Sequence, residues 1–231
     1  MHGWDLPPRE AVALQRKLAG SVRERGMKRL PRLVAGVDCG YSRTTDTMYA
    51  SVVVCRLLPA ARGRRRPEDF EVVEEVGVAA PAAMPYVPGL LSFREAPAVL
   101  ECFRKLKRRP GAVLVDGQGR AHMRRLGLAC HLGLFLGLPT VGCAKSVLVG
   151  DFREPAARRG SRARMRHGGE VVGLALRTRD GVKPVYVSVG HLVDLDGAAR
   201  LVLSCSAGYR LPEPTRLAHH LGTRSRLEAE S

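Results

Sequence analysis

Short apolar runs alternate along the chain with segments whose apolar positions recur every three or four residues. Residues 33–38, 49–57 and 70–78 read as three successive strands, the second rich in Val. The intervening stretch 59–67 is Pro- and Arg-rich and reads as an exposed hairpin loop. Before them, Pro7-Pro8-Arg9-Glu10 opens a helix carried by Ala11, Leu14, Leu18 and Val22, expected to end near Gly26. After them the pattern changes: a helix over 94–107, a strand at 112–115, a helix over 121–136 and a short strand at 140–142. Strands at 171–177 and 184–189, a helix over 196–206 and a last helix from Pro214 complete the chain. Hairpin strands followed by helix–strand alternation predict an α/β fold, a mixed central sheet with antiparallel strands first, then parallel ones, flanked by helices. No convincing linker interrupts it, so residues 1–231 are expected to form a single domain, with 153–167 a basic flexible loop within it.

Composition narrows the partners. Of 231 residues 45% are hydrophobic and only 5% aromatic, so the core must be built from Val, Leu and Ala. A net charge of +16 makes a polyanion the first candidate ligand. The cations cluster in 62–66, 104–109 and 153–166, which are expected to touch phosphates nonspecifically or to be solvated faces. Cysteines 39, 55, 102, 130, 143 and 205 form no Cys-x-x-Cys pair, and most sit in apolar contexts. Free buried thiols in a reducing, cytoplasmic compartment are the expectation. No apolar run nears the ~20 residues that span a bilayer, so no membrane partner is expected.

Three acids carry the candidate chemistry. Asp38 ends the run Leu33-Val34-Ala35-Gly36-Val37, and Asp116 ends Ala112-Val113-Leu114-Val115. A carboxylate at the end of a buried strand is costly unless a cation shares it. Glu95 opens the next helix, so two strand ends and a facing Glu would make an oxygen cage suited to Mg²⁺. Ser92 and Glu95 also match a capping box, the rival task for that Glu. Gly117 and Gly119 follow the Asp116 strand and can bring backbone N–H groups close to a ligand, or simply make an ordinary turn. Pro85-Tyr86-Val87-Pro88 stiffens an aromatic that can act as a wedge between bases, or cover a core edge.

These residues resemble the endonuclease V family. The likeness rests on Val34-Ala35-Gly36-Val37-Asp38, on Tyr86-Val87-Pro88-Gly89-Leu90-Leu91-Ser92-Phe93-Arg94-Glu95, and on Val115-Asp116-Gly117-Gln118-Gly119. It continues through Pro139-Thr140-Val141-Gly142-Cys143-Ala144-Lys145-Ser146, Val187-Ser188-Val189-Gly190-His191, and the stretch from Tyr209 to His219. The blocks fall in family order over residues 34–219. The resemblance implies an RNase H-like fold and Mg²⁺-dependent hydrolysis (Mn²⁺ substituting) of the second phosphodiester 3′ to a deoxyinosine. The lesion would stay on a strand with 3′-hydroxyl and 5′-phosphate ends. By position, Asp38 and Asp116 match the principal metal ligands, Glu95 the third acid, Lys145 a lysine near the scissile phosphate and His219 a histidine beside the metal. Tyr86, with Pro85, Val87 and Pro88 around it, matches the strand-separating wedge; Gly89, Leu91, Gly117 and Gly119 match the pocket for the flipped base, with His122 at its rim. The chain is expected to act as a monomer on inosine-containing DNA.

The chain departs from the family at Met123, where Pro is common, and at Cys39-Gly40 after the first acid. Cys39 would place a soft thiol beside a hard-metal site. His191 is expected to be a structural hydrogen-bonder and His220 a solvated neighbour. Two alternatives remain at this stage: an inosine-specific endoribonuclease on the same fold, and a non-catalytic basic nucleic-acid binder.

Overall fold

The computed structural model describes residues 2–42, 44–59 and 64–230. Strands β1 (Leu33–Tyr41), β2 (Thr47–Leu57) and β3 (Phe70–Pro81) form an antiparallel meander. The strand β4 (Ala112–Val115) adds parallel to β1, and β5 (Thr140–Ala144) adds parallel to β4. The last three, β6 (Arg162–His167), β7 (Glu170–Leu176) and β8 (Val185–His191), are antiparallel, with β8 seated on β5. One mixed sheet results, ordered β3-β2-β1-β4-β5-β8-β7-β6. The parallel pairing expected after the meander is therefore confined to β1, β4 and β5.

Helices α2 (Leu91–Lys105) and α3 (Leu128–Leu136) cover one face, while α4 (Leu195–Ser204) and α5 (Glu213–Glu230) cover the other. Alternation along β1 sorts its side chains between them. Ala35 and Val37 pack with Ala96, Val99 and Leu132, whereas Val34 packs in the cluster containing Leu201, Ala218 and Leu221. With both faces covered, β4 is apolar and fully buried at all four positions, each large side chain contributing about 1.5–3 kcal/mol. Gly36 lets α5 lie directly on β1: a Cβ there would stand 2.0 Å from the Pro214 backbone. This contact fixes where α5 crosses β1, two residues before Asp38.

Several expected boundaries move, each for a tertiary reason. The first helix, α1 (Pro8–Ala19), stops well before Gly26, because the following segment docks on the β8–α4 turn. There the Arg23 amide donates to His191 Nδ1, and its carbonyl accepts from Leu192. The helix expected from Ala121 begins only at Leu128. Arg125 lies in the left-handed region (φ 59°), held by bonds from its guanidinium to the His122 and His167 carbonyls and to Glu170. Helix α2 begins earlier than expected, at Leu91, and its N-cap is Leu90, with no side-chain cap. The capping box fails because the Ser92 hydroxyl is buried against His131 Nδ1, 3.0 Å away.

The stretch expected to be a basic flexible loop is half strand, since 162–167 form β6 at the sheet edge. In the arginine-rich connection after β2, residues 60–63, including Arg62, lie outside the described residues. Pro67–Asp69 form a 3-10 turn. Among the described residues no helix is long and apolar enough to cross a membrane.

Candidate active site

Because β1 and β4 are parallel neighbours, the residues just past the end of their ladder open on one sheet edge, where β4 stops and β1 runs on to Tyr41 against β2 alone. Val37 pairs with Val115, so Asp38 and Asp116 emerge side by side on the face covered by α5. Glu95 reaches them from α2 on the other face, 6% exposed. The three charges bear on one another. Burial, then the neighbouring Asp116, pushes the Asp38 carboxyl up to about 6, against the lowering influence of His219 and Lys145. Burial likewise pushes Glu95 up to about 7, opposed by a hydrogen bond from Tyr41 and reinforced by Asp38. A local excess of buried negative charge is thus built into the sheet edge.

Each acid has a protein partner. His219, from the second turn of α5, donates from Nδ1 to Asp38 Oδ2 at 3.0 Å. The Tyr41 hydroxyl donates to Glu95 Oε1 at 2.7 Å, and the Arg94 guanidinium stacks 4.5 Å above the Tyr41 ring. Lys145, just after β5, places Nζ 2.6 Å from Asp116 Oδ2. That contact is an ion pair by distance only, because the buried Oδ2 has no aligned hydrogen bond. Burial lowers the Lys145 pKa, but the Asp116 contacts outweigh it and raise it overall. Arg210 donates to the Lys145 carbonyl at 2.6 Å and so fixes the turn that carries the ammonium.

Among the described residues no three His, Cys, Asp or Glu side chains already converge as a coordination cluster. The donors nonetheless fit a hard divalent cation: all are carboxylate oxygens, one is buried without an aligned partner, and their mutual repulsion would be relieved by positive charge. Such an ion would compete with Lys145 for Asp116. Without a cation Cys39 is held as the neutral thiol: burial, with Glu95 and Asp38 nearby, raises its pKa well above the usual thiol range.

The segment from Pro85 to Gly89 leaves β3 as a coil, and Tyr86 stands 67% exposed between exposed Pro85 and Pro88, with Val87 half-buried. Its base is firmly tied. The Gly89 carbonyl accepts from His122 Nε2 at 3.1 Å, Arg124 Nη2 at 2.7 Å and Gln15 Nε2 at 3.1 Å. Gln15, on α1 and fully buried, also donates to the Leu126 carbonyl at 2.7 Å, and Arg124 Nε donates to its Oε1. Since His122 Nδ1 accepts from the Arg124 amide, its proton sits on Nε2. Burial, then Arg124, pushes this histidine down to about 4, so the ring is neutral. His122 therefore braces the Tyr86 segment in this structure.

The glycines divide. Gly89 needs its positive φ of 79°, and a Cβ there would meet Arg124 at 2.4 Å. Leu91 is exposed beside it. At Gly119 a Cβ would strike the Val189 carbonyl at 2.1 Å, and its N–H donates to Ser188 Oγ at 2.8 Å. The expectation that this turn offers the Gly119 N–H to a ligand at a helix start is corrected: β8 takes it, and the helix begins nine residues later. Gly117 has only ordinary contacts. His191 is a buried hydrogen-bonder, as expected, and the exposed His220 meets Arg216 at 2.9 Å. Sequence reasoning missed Tyr41, Gln15, Arg124 and Arg210. Only Tyr41 had a signal, alternation along β1 that turns it towards the α2 face.

Comparison with known proteins bears on this geometry. The endonuclease V family model matches residues 16–220. An endonuclease V of Gloeobacter violaceus is 48% identical over 225 residues, covering 95% of this chain and 87% of the relative. The crystal structure of endonuclease V from Streptomyces avermitilis superposes with a TM-score of 0.89 at 44% identity, covering 99% of this chain and 97% of that one. A Ciona intestinalis endonuclease V, solved with a 23mer DNA containing an inosine followed by a ribo-adenosine, matches with a TM-score of 0.81 at 25% identity, covering 96% and 97%. The fold is RNase H-like, as in these structures, and the non-catalytic alternative falls. The chain belongs to the endonuclease V family and is a nuclease.

Proposed function

We propose that this nuclease is a divalent-metal-dependent repair endonuclease that nicks DNA at the second phosphodiester 3′ to a deoxyinosine, leaving 3′-hydroxyl and 5′-phosphate ends. The carrying observation is that Asp38 and Asp116 stand side by side at one sheet edge with Glu95 facing them from α2, the Asp38 carboxyl raised by burial and then by Asp116, and the Glu95 carboxyl by burial and then by Asp38. Asp38 and Asp116 would hold Mg²⁺ (or Mn²⁺, which suits the same oxygens), with Glu95 as third acid, and the bound ion would polarise the phosphate and acidify a water. Lys145, kept cationic by Asp116, offsets charge that grows on the attacked phosphate. His219 orients the Asp38 carboxylate through its Nδ1 bond. Tyr86, on a segment anchored at Gly89, enters between bases as the wedge. The flipped base sits by Gly89, Leu91 and Gly117, with His122 behind the rim; Gly119 backs this turn against β8, its N–H and carbonyl already taken by Ser188 and Gly127. Hypoxanthine presents a carbonyl and an N–H where adenine has an amine and a bare nitrogen, so backbone groups can tell them apart. The protein works in the cytoplasm as a monomer.

Inosine-containing RNA is a second substrate reading, favoured by the ribo-adenosine that follows inosine in the ligand of the Ciona relative. Cleavage of matched inosine-DNA, inosine-RNA and undamaged duplexes, in Mg²⁺ and in chelator, tests both. Nicking of inosine-DNA in Mg²⁺ alone supports the proposal. Equal nicking of undamaged duplex, or activity that survives chelation, overturns it.

A further inference from the structure

Two of the basic runs, far apart in sequence, meet in the fold. Arg64 and Arg65 from the β2–β3 connection, Arg159 from the segment before β6 and Arg179 from the β7–β8 turn line one cavity of about 370 Å³. Among the described residues a single carboxylate, Asp180, shares the cavity with these four guanidinium groups. It is partly used, accepting from the Arg159 amide at 2.5 Å and lying 3.7 Å from Arg64.

Two of the arginines are held in place by carbonyls. Arg159 Nη2 donates to Leu203 O at 2.8 Å, and Arg65 donates to Leu58 O while lying 6.0 Å over the Phe70 ring. Arg179 has no ion-pair partner among the described residues. Cations gathered in a concavity repel one another and focus their field, a cost that a bound anion removes. Fixed guanidinium forks suit the paired oxygens of a phosphate, with little ordering entropy left to lose. The neighbouring hydroxyls are already spent, Thr178 donating to Arg210 O and Ser206 to Val202 O, so the arginines are the available donors.

One side of the basin, the β7–β8 turn, leaves the sheet at the same edge as Asp38, whereas Arg64 and Arg65 reach it from the β2–β3 connection, rooted at the opposite end of β1. Thr178 follows β7, and β7 stands four strands from β1 in the sheet order. At about 4.8 Å per strand, that sets the Thr178 side of the basin on the order of 20 Å sideways from Asp38 along the sheet, a minimum for the arginines that come from the other end. A nucleic-acid strand advancing about 3.4 Å per nucleotide covers that distance in roughly six steps. We propose that this basin is an auxiliary site for a phosphodiester of the substrate's flanking strand, about six or more nucleotides from the cut. The proposal rests on the nuclease reading for its ligand, although binding can be measured without cleavage.

Arg64→Glu/Arg179→Glu removes two cations whose side chains bond no backbone group, and Arg64→Gln/Arg179→Gln is the milder companion. Fluorescence anisotropy in chelator, across a KCl series, compares an inosine duplex reaching about ten base pairs to each side of the lesion with one trimmed to about four. For the long duplex, the variants should bind roughly tenfold more weakly at low salt, with the slope of log K against log [salt] shallower by about 2. The trimmed duplex should bind, and in Mg²⁺ be cut in a single turnover, as by the unaltered protein. An unchanged slope on the long duplex overturns the proposal. So does an equal loss on both duplexes, which would mean a diffuse field. Calorimetry with inorganic pyrophosphate separates the sources: binding abolished by the variants while the duplex slope stays unchanged would assign a free-anion site instead. If the unaltered protein cuts nothing yet the long-duplex slope falls, the basin stands and the proposed activity fails.

Discussion

Replacing Glu95 by Gln should stabilise the metal-free protein. The carboxyl is 6% exposed and its pKa is raised, mainly by burial, from an ordinary 4.5 to about 7. A group raised in the folded state adds stability that is fully present below about 4.5 and is lost as pH rises through about 7. At about 1.4 kcal/mol per pH unit between the two values, the ionised carboxylate costs the fold roughly 3 kcal/mol at pH 8. Gln removes that cost and still accepts from the Tyr41 hydroxyl. At roughly 2–4 °C per kcal/mol for a chain of this size, Glu95→Gln should melt roughly 6–12 °C above the unaltered protein in chelator at pH 8. The advantage should vanish near pH 4, where Glu95 is neutral. Saturating Mg²⁺ should narrow the gap at pH 8 by stabilising the protein that retains its third acid. Differential scanning calorimetry across pH, with and without Mg²⁺, measures all of this. A variant that melts lower at pH 8 in chelator, or by the same margin at every pH, refutes the reasoning. Had Glu95 been a helix cap, the same substitution would be nearly silent.

Other expectations follow from single contacts. Asp116→Ala should abolish nicking of an inosine duplex while leaving binding largely intact by anisotropy; equal nicking would remove it from the site. Tyr86→Ala should change stability by less than about 0.5 kcal/mol, since the ring is mostly exposed, yet should slow cleavage of duplex more than of single-stranded substrate. Equal slowing on both would exclude a wedge. Gln15→Leu strips donors from the buried Leu126 and Gly89 carbonyls and should cost about 1–3 kcal/mol in urea denaturation. The same change should reduce the duplex preference that Tyr86 supplies, and an unaltered preference would show that the brace at Gly89 is dispensable. Gly36→Ala drives a methyl into the Pro214 backbone, so a loss of about 3 kcal/mol or more is expected, and a midpoint close to that of the unaltered protein would place α5 wrongly.

The sequence by itself determined the strands that carry the acids. The run before Asp38 and the run before Asp116 are short, apolar and bounded by turn residues, and a strand buried on both faces reads that way whatever surrounds it. It also determined the chemistry on offer, because acids at strand ends and a large positive charge are local facts. Tertiary structure decided where helices stop. Gly26 and Ala121 looked helical, but Arg23 is captured by His191, and Arg125 is held left-handed by partners about forty residues away. Only the fold could remove Ser92 from its cap, since the competing partner, His131, comes from another helix. It likewise joined Tyr41 to Glu95, Lys145 to Asp116, and Arg64 to Arg159 in one basin. Those pairings depend on which strands and helices become neighbours. That choice is made by burying apolar surface over the whole sheet, and polar residues at its edges are carried into contact by packing they do not control.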